Sequence, residues 1–239
     1  MTPEIIFAFV VAASAGLMRG FAGVGSGMLM APFFVHTFGP VQTIGMIILI
    51  EIVATALLLP SVHKEIQWRT IGLMGLAAAA AMPVGSWLLV TLETPSLQFG
   101  VSLLVAASAL LLMTGWRYEG AKRPLATFGV GAVSGLLMAL TSLGNPPVML
   151  YLLSSRDSAA TNRANFTGYF AITLATLILL MSFKGLLTWE AARLAGMMIP
   201  VFLMTTWIGS KLFRQSSEQM YRRVALGILF LAGLYGMIR

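Results

Sequence analysis

The stretch Gly16–Pro32, GLMRGFAGVGSGMLMAP, lies inside the first apolar segment of the chain, and it holds an arginine and a glycine-broken run at a depth where a plain lipid-facing helix would have neither. A backbone break at membrane depth leaves N–H and C=O groups that lipid cannot satisfy, so Gly23–Gly27 must face protein or a polar cavity. Whether the segment crosses once or turns back at this break decides the topology of everything after it.

Composition places the chain in the bilayer. Of 239 residues, 58% are hydrophobic and only 10% charged, and the mean hydropathy is +0.89, outside the range of a soluble domain. Polar stretches between the apolar segments are too short for a soluble catalytic or nucleotide-binding domain. The net charge of +7 comes from Lys and Arg scattered over short loops, which is a topology signal and no nucleic-acid surface. Cysteine is absent, which excludes disulfides, thiolate metal sites and cysteine nucleophiles. The amino terminus MTPEIIFAFV has no basic residue before its apolar run and reads as mature structure.

A membrane-length window finds apolar segments near 4–38, 40–61, 67–91, 95–115, 125–153, 161–183, 188–212 and 219–238. The first and fifth are broken, by GVGSG at Gly23–Gly27 and by SLGNPP at Ser142–Pro147. Gly16, Gly25 and Met30 match Gly135, Gly144 and Met149 at one offset of 119, and GSWL at Gly85 matches GSKL at Gly209 at 124. The chain therefore divides into a first repeat, 1–116, a connecting loop, 117–124, and a second repeat, 125–239, of four segments each.

Loop charges choose the orientation, because cytoplasmic loops are enriched in Lys and Arg. With every segment crossing once, the basic residues split eight to six. With each broken segment returning as a hairpin, Lys64, Arg69, Arg117, Lys122, Arg123, Arg156, Arg163, Lys211, Arg214, Arg222 and Arg223 share one side, and only Lys184, Arg193 and Arg239 oppose them. The second solution gives three full crossings per half, hence repeats of opposite orientation, with both termini outside. Arms of about 15 residues would reach only about 22 Å, short of a core of about 30 Å. The expected fold is an all-α integral membrane protein of two inverted-topology four-segment repeats, the first segment of each broken into two half-helices.

Two breaks related by duplication are expected to meet near the midplane, with the following half-helices, from near Ser26 and Asn145, turning their positive ends toward the space between. That space favours an anion. Gly23, Gly25, Gly27 and Gly144 allow close backbone approach, and Ser26, Ser142 and Asn145 offer side-chain hydrogen bonds. Arg19, one turn before the glycines, adds a full charge whose planar fork suits a sulfonate, sulfite or carboxylate. An intramembrane arginine costs about 3 kcal/mol or more and needs a partner. Glu51, the one acid deep in a segment, is the alternative: an ion pair for Arg19, or a group that holds it at rest and takes a proton when substrate displaces it.

At these residues the chain resembles the sulfite exporter TauE/SafE family, also called the 4-toluene sulfonate uptake permease family, over nearly its whole length. GVGSGMLMAP is similar to the family's first-half motif and SLGNPPVMLYLL to its second-half counterpart. RGFAG resembles the subset with an arginine just before the glycines, and LPSVHKEIQWRTI the loop into the third segment. Ser26 and Asn145 depart from that pattern. The resemblance implies movement of sulfite or an organic sulfonate across the bacterial cytoplasmic membrane, commonly export, by a multi-pass protein with no cofactor.

The expected function is a secondary transporter binding its anion between the two broken segments and working by alternating access, with coupling to protons and pairing into a homodimer both admitted. An anion channel is the near alternative. No GxxxxGK[ST] motif is present, and an intramembrane enzyme would need more than Arg19 and Glu51 at depth; no HExxH or histidine cluster supplies a metal.

Overall fold

The computed structural model describes residues 3–88, 110, 113–114, 123–141, 146–183, 185 and 187–238. Among these the chain forms α1 (Pro3–Ala22), α2 (Ser26–Phe38), α3 (Pro40–Val62), a 3-10 turn (His63–Glu65), α4 (Trp68–Leu88), α5 (Pro124–Thr141), α6 (Pro146–Ser154), α7 (Ala159–Phe183), α8 (Trp189–Gln215) and α9 (Glu218–Ile238), with no strand among the described residues. The expected segment near 95–115 lies almost wholly outside them.

Local chemistry sets the helix ends. Gly39, at φ 79°, carries the chain between α2 and α3, Pro40 stands in the first turn, where it lacks no needed N–H, and the Thr43 hydroxyl donates to the Gly39 carbonyl at 2.7 Å. Three later helices open on hydroxyl caps. Ser158 accepts from the N–H of Thr161, Thr188 from Ala191 and Ser217 from Met220, each at 3.1 Å. Pro60, Pro83 and Pro200 stand inside α3, α4 and α8, which membrane helices tolerate because neighbours satisfy the freed backbone groups.

Among the described residues, four helices are long and apolar enough to cross a membrane, over Glu4–Ala22, Gln42–Glu65, Ala159–Phe183 and Trp189–Gln215, with a shorter apolar helix at Pro124–Ala139. The first of these differs from the arm length expected of a returning segment. At 20 residues α1 reaches about 30 Å, because its helical run continues uninterrupted to Ala22, whereas α2 has 13 residues. Phe183 and Trp189 are 87% and 82% exposed, as side chains meant for lipid and its interface would be.

The chain divides into two compact units. One comprises Met1–Lys64 with Leu174–Ser216, the other Glu65–Thr173 with Ser217–Arg239. In the first, α1 lies along α8 over a buried core that includes Ala12, Ala15, Met198 and Phe202. The two backbones are close enough that a Cβ on Gly16 would strike the Phe202 carbonyl, and one on Gly209 the Leu17 carbonyl. In the second unit, α4 lies along α5 in the same manner. A Cβ on Gly135 would strike the Ala78 carbonyl, and one on Gly85 would come 2.7 Å from the Leu136 carbonyl.

These two interfaces use residues at the offsets read from the sequence. Gly16 and Leu17 correspond to Gly135 and Leu136 at 119, and Ala78 and Gly85 to Phe202 and Gly209 at 124. Each unit thus joins the first segment of one half of the chain to the third segment of the other. Small residues permit this approach, and in lipid, where no hydrophobic force drives helices together, close van der Waals packing is what associates them.

Candidate functional site

The break after α1 follows from two glycines. Gly23 and Gly25 stand at φ 78° and 97°, a left-handed backbone that residues with a Cβ adopt only at a cost. The helix stops at Ala22 and restarts at Ser26. Gly25 caps α2 without a side chain, so the first N–H groups of α2 have no intrahelical acceptor and carry the positive end of its dipole.

Against this break lies one face of α3. Glu51 and Thr55 are one helical turn apart and so point the same way. Arg19, Ser26, Glu51 and Thr55 are all buried, at 0%, 0%, 2% and 1% exposure. Within this buried cluster the Arg19 Nε lies 3.0 Å from Glu51 Oε2. One terminal nitrogen, Nη2, donates to Thr55 Oγ1 at 2.7 Å, and the other, Nη1, donates to the Gly23 carbonyl. Ser26 Oγ donates to the second Glu51 oxygen, Oε1. Every nitrogen of the guanidinium and both carboxylate oxygens are therefore engaged.

Each contact has a physical reason. The Gly23 carbonyl sits past the end of α1, where helix carbonyls lose their intrahelical donors, and the guanidinium supplies one. A buried charge is tolerated only when paired and hydrogen-bonded, and Glu51 neutralises Arg19 while Gly23 and Thr55 each accept from one of its terminal nitrogens. Ser26 carries the carboxylate's influence to the amino-terminal end of α2, which favours negative charge. One cation and one helix end face one carboxylate, so the cluster is short of negative charge by the helix dipole alone.

Of the residues singled out in the sequence, Arg19, Gly23, Ser26 and Glu51 meet here, and Gly25 makes the turn. Gly27 is one step beyond; a Cβ there would rest 3.5 Å from the Ile47 side chain, an ordinary contact. Ser142, Gly144 and Asn145 lie outside the described residues. Thr55 was missed, although its signal was present: a hydroxyl four residues after the one deep acid. Two other polar residues, in the sixth segment, bond within the second unit. Thr167 donates to the Arg163 carbonyl at 3.0 Å, and Asn165 Oδ1 accepts the Gln67 N–H at 2.9 Å. Among the described residues no three His, Cys, Asp or Glu side chains converge as metal ligands.

Comparison with known proteins is consistent along the chain. The family described as "Sulfite exporter TauE/SafE" matches residues 8–236. A protein of Cupriavidus necator named "Probable sulfite/organosulfonate exporter TauE" is 25% identical over 215 residues, covering 87% of this chain and 80% of its own length. No solved structure matches this chain.

Proposed function

The chain belongs to the sulfite exporter TauE/SafE family, and on that footing we propose that it is a secondary transporter that exports sulfite or a small organic sulfonate across the bacterial cytoplasmic membrane by alternating access. Family membership and the apolar helices agree on a multi-pass membrane protein of transport function. The observation that carries the finer reading is the buried convergence of Arg19, Ser26, Glu51 and Thr55 on the break between α1 and α2.

In this reading Glu51 stands where the substrate will stand. A sulfonate or sulfite entering at the α2 end takes the Arg19 fork, which fits two oxygens of one group, and the N–H groups of the first turn of α2. Glu51, having lost its cation, is left as a buried unpaired carboxylate, which favours uptake of a proton. Substrate binding and protonation are thereby linked, and the anion's passage is coupled to a proton's. Ser142, Gly144 and Asn145 enter as further ligands on their sequence match to the first break alone. Inverted orientation of the repeats, with both termini outside, rests on the loop charges and draws support from the repeated offsets of the two glycine interfaces.

The test is calorimetric binding of sulfite, sulfoacetate, taurine and acetate to purified wild type and Arg19→Ala. Saturable binding of a sulfur oxyanion to the wild type, lost in the variant while its melting profile stays cooperative, is the expected result. Binding unchanged in Arg19→Ala overturns the ligand role and leaves Arg19 as the structural partner of Glu51. Counterflow in proteoliposomes separates carrier from channel, since only a carrier shows saturable exchange.

A further inference from the structure

Within the second unit, a polar pocket partly open to solvent lies at the junction of the α6–α7 loop and the start of α9. It has a volume of about 20 Å³ and is lined by Ser155, Asp157, Asn162, Glu218 and Arg222 among others. That is room for one water molecule or one small desolvated ion. Asn162 is 4% exposed, and among the described residues its Oδ1 has no hydrogen-bond partner. Its amide orientation follows from the neighbour: Nδ2 donates to the Asp157 carbonyl at 3.4 Å, which leaves Oδ1 as the remaining group. A buried acceptor without a donor costs about 1–3 kcal/mol, so a group that meets it there has a ready-made role.

The surroundings say what kind of guest fits. Helix ends usually attract anions, but here they are already occupied. Ala159 N–H donates to Glu218 Oε1 at 3.2 Å, and Thr161 N–H to Ser158 Oγ. Asp157 accepts from Gln67 Nε2 at 3.1 Å and from Ser155 Oγ at 2.9 Å. Two carboxylates against the one arginine of the lining leave it net negative, with oxygen acceptors predominating. Hard cations take oxygen ligands. A small divalent ion dehydrates reluctantly and keeps several waters, for which a pocket of about 20 Å³ has no room.

We propose that this pocket binds a single monovalent cation of sodium size, held by Asn162 Oδ1 with the carboxylates of Asp157 and Glu218. The ion ties the first turn of α7 and the α6–α7 loop to the first turn of α9. Its binding does not depend on the anion reading of Arg19, and either can fail alone.

The experiment is a melting titration of the purified full chain in sodium chloride against choline chloride at equal ionic strength. A ligand that binds only the folded state raises the melting temperature saturably, and that rise is expected with sodium alone. Glu218→Gln should weaken the apparent affinity by about tenfold or more. Asn162→Asp keeps the oxygen and adds charge, so its melting temperature should depend on sodium more steeply than the wild type's. Because Asn162→Asp is read against its own choline control, a general loss of stability does not blur the outcome. Equal melting in the two salts, a sodium response unchanged in both variants, or loss of stability on adding a divalent chelator would each overturn the assignment, the first leaving a water in the pocket.

Discussion

At the scale of single residues, Arg19 explains why an arginine survives inside a membrane segment. It is not tolerated despite its charge; its charge closes the open end of α1 and locks it to α3. Breaking one side of such a buried pair leaves the other uncompensated and costs about 3–5 kcal/mol, whereas replacing both with well-packed apolar groups is often near neutral. Glu51→Leu alone should therefore lower stability by about that amount, and the double replacement Arg19→Met with Glu51→Leu should recover most of it while abolishing anion binding. Chemical unfolding in mixed micelles of the wild type, Glu51→Leu, Arg19→Met and the double variant closes the cycle. Additive losses would mean that the pair does not act as a unit. Arg19 and Glu51 were legible in the sequence because an ion inside an apolar run is conspicuous; Thr55 was not, because one hydroxyl in a membrane helix is ordinary.

At the scale of elements, the molecule repeats one device. A glycine on a first segment meets a carbonyl on a third segment, and a glycine on the third meets a carbonyl on the first. Gly16→Ala and Gly135→Ala should both destabilise, by about 1–3 kcal/mol, since each added methyl meets a backbone carbonyl that has no room to give way. Gly72 and Gly129 lie in α4 and α5 with nothing within 4 Å of an added Cβ. Alanine there should be neutral or stabilising by up to about 1 kcal/mol, from helix propensity. Melting temperatures of the four variants decide it, and equal effects at packed and open positions would remove the glycine contacts as the cause. The sequence showed the glycine matches at 119 and 124, yet gave no hint that they lie against each other's partners.

At the scale of the whole molecule, orientation is the open quantity that the loop charges address. The chain has no cysteine, so single cysteines report sidedness without background. Lys64, Arg193 and Lys211 are all exposed. If the first and fifth segments return, Lys64→Cys and Lys211→Cys label from the same side in intact cells and Arg193→Cys from the other. If every segment crosses once, Lys64→Cys and Arg193→Cys share a side and Lys211→Cys opposes them. The length of α1, enough to cross by itself, makes this measurement decisive for how the break sits in the bilayer.

The sequence by itself determined the membrane setting, the all-helical class and the glycine stop at the end of α1. Those properties are written in hydropathy and in glycine, along one dimension. Only the tertiary structure decided which helices lie together and which polar atoms meet. In lipid an apolar face is equally at home against acyl chains or protein, so hydrophobic pattern carries no record of a helix's partner. That choice falls to close backbone approach and to buried hydrogen bonds, and both depend on two distant stretches at once: α1 against α8, Arg19 against Thr55, Ser26 against Glu51.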